Sequence, residues 1–79
     1  MENHDKLRQT FSRSLNIPLE TVTPELAYNS IREWDSVAHM ALVVEIESAF
    51  EVMFDTDDII DMSTVTKAVE ILTKHGVEF

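Results

Sequence analysis

From Asp35 to Phe50 the chain carries neither glycine nor proline and is rich in Ala, Met, Leu and Glu, a composition that favours helix over every other state. Asp35 or Ser36 stands ready as its N-cap. Laid out at about 100° per residue, His39, Leu42, Val43, Ile46 and Phe50 share one arc and form a face that must be buried. A chain of 79 residues buries little more than ~60% of its unfolded surface, so that face has to be covered by short elements close in sequence.

The remaining segments supply them. Leu7, Phe11 and Leu15 repeat at helical spacing and predict a helix over Asn3–Leu15 that Asn16 can end. Pro18 and Pro24 resist continuation, so Asn16–Trp34 reads as a long loop. A loop of that length needs packing of its own, for which Ile17, Leu19, Val22, Leu26, Ile31 and Trp34 are candidates. Thr23 and Pro24 suggest a helical turn near Thr23–Ala27. Asp55–Met62 reads as one or two helical turns with acids at its start and Ile59 and Ile60 to bury. Ser63 or Thr64 caps a last helix through His75, with Val65, Ala68, Val69 and Leu72 inward and Gly76, the only glycine, as its stop. No β-alternating run or internal repeat competes. The expectation is an all-α four-helix bundle, three longer helices and one short, with a long loop between the first and second, forming a single domain over residues 1–79.

Composition narrows the function. Fifteen acids against six Lys and Arg give a net charge of -9, which repels nucleic acid and anionic membranes and favours partners with basic patches. From Glu33 to Thr66 there are nine acids and no Lys or Arg. The chain has no cysteine, so disulfides, thiolate nucleophiles and Cys-based zinc sites are excluded. Met1–Lys6 is polar, and no apolar run approaches the ~20 residues a membrane span requires. These features predict a soluble, cytoplasmic monomer.

Two features of the second helix point to chemistry. Opposite its core face lie Val37, Met40, Ala41 and Val44, interrupted by Ser48 and flanked by Glu45 and Glu47, and an apolar strip rimmed by charge is what a transient protein interface looks like. Trp34-Asp35-Ser36-Val37 also sets a serine hydroxyl at the head of that helix, where unpartnered amides and the dipole receive a phosphate well.

Taken together, the helix order, the long loop, the Asp-Ser-apolar opening of the second helix and the length resemble the acyl carrier protein family. In that family the serine of an Asp-Ser-Leu motif receives 4'-phosphopantetheine from coenzyme A, and the thiol of that arm holds an acyl or aminoacyl group. The resemblance implies that Ser36 is the attachment site. It also implies that Asp35 helps position a phosphopantetheinyl transferase and its magnesium. Val37 matches the leucine, and Val37, Met40, Ala41, Val44, Glu45, Glu47 and Ser48 match the face that meets acyl-loading and acyl-processing enzymes. On this reading the chain is a carrier and not an enzyme. Carriers of fatty acid biosynthesis have acids where this chain has Ala38 and Ala41, and many relatives have glycine at the position of Glu33. The Trp-Asp-Ser wording and His39 look more like discrete carriers of polyketide, nonribosomal or unusual acyl pathways.

Other constellations are weaker. Ser36 and His39 lack a third orienting group, and periodicity turns His39 toward the core, where a hydrogen-bonded structural role is expected. Asp55, Asp57, Asp58 and Asp61 do not make an EF-hand, because Ile60 occupies the glycine position and Thr66 that of the bidentate glutamate. His4, His39 and His75 are too dispersed for a metal site. Trp34 is expected to plug the core beside Ser36. The competing functional class is an acidic helical adaptor or inhibitor with no prosthetic group, in which Ser36 is only a cap.

Overall fold

Each amphipathic run forms the helix its spacing demands. In the computed structural model, which describes residues 2–79, α1 spans Glu2–Leu15, α2 Ser36–Phe50, α3 Thr56–Asp61 and α4 Val65–Lys74, with one turn of 3-10 helix at Leu19–Thr21. The expected all-α arrangement is present. Among the described residues the one β-type pairing is an isolated bridge between Ala27 and Thr64. Met1, counted in the polar N-terminal run, lies outside the described residues.

Three helices close by the same device. Asn16, Glu51 and Gly76 take φ angles of 57°, 56° and 93°, and the amides after them, of Ile17, Val52 and Val77, donate back to the carbonyls of Ser12, Glu47 and Leu72. These bonds satisfy carbonyls that a helix end would otherwise leave open. Asparagine and glycine adopt the left-handed region at low cost. Glutamate does not, which is why Glu51 carries no visible stop signal in the sequence.

The long loop packs as expected through Ile17, Val22, Leu26 and Trp34, which are buried, and Ile31, which is half-buried. Leu19 is exposed instead, because it opens the 3-10 turn. Near Thr23–Ala27, where a helical turn was expected, the chain makes one hydrogen-bonded turn, from the Leu26 amide to the Thr23 carbonyl, and the 3-10 turn forms earlier, after Pro18. Pro18 holds a φ of -61°, and the Arg8 guanidinium donates to the carbonyls of Leu19 and Val22 at 3.0 and 3.1 Å, fixing the turn onto α1. Pro24 serves α4: its carbonyl accepts from the amide and the hydroxyl of Thr66. The Val65 amide donates to Leu26, and Thr64 Oγ1 accepts from the Lys67 amide at 3.0 Å. The loop thereby satisfies first-turn donors of α4 that would otherwise be orphaned.

The core gathers Leu7, Phe11 and Leu15 from α1, Leu42, Val43 and Ile46 from α2, and Val65, Ala68, Ile71 and Leu72 from α4, with Phe54 and Met62 beside α3. Ile71 takes the inward place expected of Val69, which is half-buried. Ile59 is half-buried, but Ile60 is 71% exposed and not buried as expected. A six-residue helix offers the bundle one narrow face, and here Asp58 occupies it.

Asp58 is 1% exposed. It accepts from Lys74 Nζ and takes a 2.7 Å hydrogen bond from His75 Nε2, and it forms a capping box with Asp55. The Lys74 ammonium, followed by the His75 bond, holds its carboxyl down from 3.8 to about 2 against the opposing effect of burial. Asp58 in turn raises the Lys74 ammonium. Two groups expected only to complement the α4 dipole thus tie α3 to the end of α4.

Candidate functional site

The backbone on either side of Ser36 is fixed by an aromatic cluster. Trp34 is fully buried, meeting Phe11 edge-on at 5.3 Å and Tyr28 at 6.2 Å between centroids. Its indole N–H donates to His39 Nδ1 at 2.9 Å. Because Nδ1 accepts, His39 carries its proton on Nε2 and donates it to the Ile59 carbonyl, also at 2.9 Å. Trp34 precedes Ser36 by two residues and His39 follows it by three, so the serine sits between two clamped positions. The expected structural role of His39 and the expected plug at Trp34 are both realised.

Ser36 itself is uncommitted. It is the exposed first residue of α2, and its hydroxyl takes part in no hydrogen bond among the described residues. The cap is Asp35, whose backbone is extended and whose Oδ1 accepts from the Ala38 amide at 2.9 Å. The first helical bond runs from the His39 amide to the Asp35 carbonyl at 2.8 Å. The Ser36 and Val37 amides precede that bond and are left to solvent or to an anion, at the positive end of the helix. An exposed hydroxyl beside two unpartnered amides suits a phosphodiester, whose oxygens those amides would receive.

The strip is exposed as expected. Val37 is 79% and Val44 59% exposed, with Met40, Ala41, Glu45 and Ser48 also open to solvent. Glu47 is half-buried, and its Oε2 accepts from the Phe54 amide at 2.8 Å, so this member also braces the connection to α3. Sequence reasoning did not single out Met53 or Tyr28 and expected Ile60 to be buried, and all three are exposed. Tyr28 and Ile60 line an open cleft of about 230 Å³ with His39, Ile59, Met62 and Ser63. No local signal joins these residues, since the bonds that assemble them cross between the loop, α2 and α3. Among the described residues no group of acids and histidines is placed to hold a metal ion, and no helix is long and apolar enough to cross a membrane.

The profile of the phosphopantetheine attachment site family matches residues 5–72. An acyl carrier protein of Desulforapulum autotrophicum is 31% identical over 72 residues, covering 90% of this chain and 94% of that one. Acyl carrier proteins of Lactobacillus johnsonii and Rubrobacter xylanophilus are each 27% identical, over 94% and 89% of this chain and 92% and 86% of their own lengths.

Proposed function

Because the chain belongs to the phosphopantetheine attachment family, whose prosthetic group is covalent 4'-phosphopantetheine, we propose that it carries acyl intermediates as thioesters on an arm esterified to Ser36. One observation supports this placement above the others: Asp35 and not Ser36 caps α2, so the exposed hydroxyl at the head of the helix has no structural duty. The terminal thiol of the arm supplies the acyl-bearing sulfur. The protein's own residues present the hydroxyl, receive the phosphate on the first amides of α2, and hold the segment rigid through Trp34 and His39. In the modification Ser36 Oγ gives up its proton and bonds to phosphorus while the nucleotide half of coenzyme A departs. Asp35 Oδ1 is spent on the cap, and its other oxygen faces solvent as the group available to a transferase and its magnesium.

Val37, Met40, Ala41 and Val44, with Glu45, Glu47 and Ser48 around them, form the face offered to acyl-loading and acyl-processing enzymes. Small apolar patches of this kind bind weakly and release readily. Ala38 and Ala41 remove acids that carriers of fatty acid synthesis offer to basic partners, which favours a dedicated pathway enzyme. The charge of -9 opposes self-association, in keeping with a monomer, and the absence of cysteine suits a reducing cytoplasm. Incubation with coenzyme A, magnesium and a broad-specificity phosphopantetheinyl transferase adds one phosphopantetheine mass, and Ser36→Ala abolishes the gain. A wild-type chain left unmodified by several such transferases would count against the assignment.

A further inference from the structure

The Trp34–His39–Ile59 chain of hydrogen bonds does more than stiffen the site. It joins the loop to α2 and α2 to α3, and two of its members, His39 and Ile59, also line the open cleft that Tyr28 and Ile60 flank. The His39–Ile59 bond therefore lies along the cleft, with Trp34 behind it. Beneath it the core is filled: Trp34, Leu42, Ile46, Met62 and Leu72 are each fully buried. Behind the cleft, the Tyr28 amide is tied to the Ser63 carbonyl at 2.8 Å, so that side is closed as well.

We infer, resting on the carrier reading above, that this protein's cargo is a short acyl group that lies in the surface cleft, with Trp34 and His39 as the residues that bar a long chain from the bundle. Ser36 starts one helical turn before His39 on the same helix, so a group tethered there has the cleft within reach. Lodging in the cleft asks only that water leave an open surface. Passing inward asks that His39 part from Ile59, that the indole N–H of a fully buried tryptophan lose its acceptor, and that close-packed side chains move aside. Buried donors and acceptors stripped of partners are strongly disfavoured, and packed cores resist insertion. The cleft volume also bounds the cargo. At about 30 Å³ for each water molecule in the liquid, 230 Å³ corresponds to about seven or eight water-sized groups. The phenol of Tyr28 and the Ser63 hydroxyl on its walls suit a cargo with a polar substituent as well as a plain one.

The test uses the arm as an anchor. Acetyl, butanoyl, hexanoyl, octanoyl, dodecanoyl and hexadecanoyl groups are loaded on Ser36 from the acyl-coenzyme A compounds, and intact mass confirms each product. Trp34 is the only tryptophan, so its emission reports on the bridge directly. The expected result is a melting temperature that rises from acetyl to about octanoyl and then stays level, with Trp34 emission the same across the series. In His39→Ala, which removes the bridge, dodecanoyl and hexadecanoyl are expected to shift the emission and to raise the melting temperature further. A wild-type protein whose stability keeps climbing to hexadecanoyl, with Trp34 emission moving in step, overturns the inference while leaving the carrier reading intact. If that His39 variant does not fold, the wild-type series alone decides. A chain that accepts no arm at any serine sinks the carrier reading and this inference with it.

Discussion

Replacing Asp58 by asparagine isolates the one buried charge among the described residues. Asp58→Asn keeps the shape of the side chain and leaves it permanently uncharged, as protonation would. A carboxyl that holds its proton only below about 2 when folded, against 3.8 as the ordinary value, contributes about 2 kcal/mol at neutral pH, at roughly 1.4 kcal/mol for each pH unit. The larger loss usual on breaking a buried pair is not expected, because Lys74 is mostly exposed and returns to water when its partner is neutral. In a domain of this size about 2 kcal/mol lowers the melting temperature by about 10 °C. The folded value lies below the unfolded one, so the contribution is complete above pH 3.8 and disappears as the pH falls toward 2. Urea unfolding of both proteins from pH 7 to pH 2 should therefore give curves separated by about 2 kcal/mol that converge between pH 4 and pH 2. Taking the difference between the two proteins cancels the other carboxylates, which titrate in both. Curves that stay parallel below pH 4, or a variant as stable as wild type at pH 7, would show that the Lys74 and His75 contacts contribute nothing net.

Three further outcomes are expected. Asp35→Ala costs about 1 kcal/mol by loss of the α2 cap, while Ser36→Ala stays within about 0.5 kcal/mol; thermal melts showing the reverse order would make Ser36 the cap and remove its freedom for modification. Gly76→Ala costs about 1 kcal/mol although nothing lies within 4 Å of the added methyl, because a φ of 93° is the whole penalty, and an unchanged melting temperature refutes that. Added salt or magnesium raises the melting temperature by relieving the nine acids between Glu33 and Thr66, and the rise should survive in Asp58→Asn, since Asp58 is already paired; indifference to both additives would show that the exposed acids are balanced.

What could be read from the sequence was what local rules govern. The helices of residues 2–15, 36–50 and 65–74 follow from apolar spacing, the second and third also from their N-caps, and Asp35, Thr64 and Gly76 act where those rules place them. The exposed setting of Ser36, the proposed attachment site, was legible for the same reason, being one loop end and one helix start. The 3-10 turn was misplaced because Arg8, a helix away, decides which proline opens it. Asp58 looked like one more acid in a crowded run. Lys74 and His75, distant in sequence, make it the polar centre of the α3 packing, and its burial pushes Ile60 outward.

That displacement connects fold to function. With Asp58 facing the bundle, α3 turns Ile60 to solvent and its Ile59 carbonyl to His39, and these two consequences help to line the cleft between the loop, α2 and α3. A substitution that frees α3 from α4 should therefore be felt at Trp34, across the molecule, through the loss of the His39 bond. Asp58→Asn melted with Trp34 emission as the probe would show that coupling as an emission change preceding the loss of helix, and a single coincident transition would mean that α3 stays seated without its buried charge.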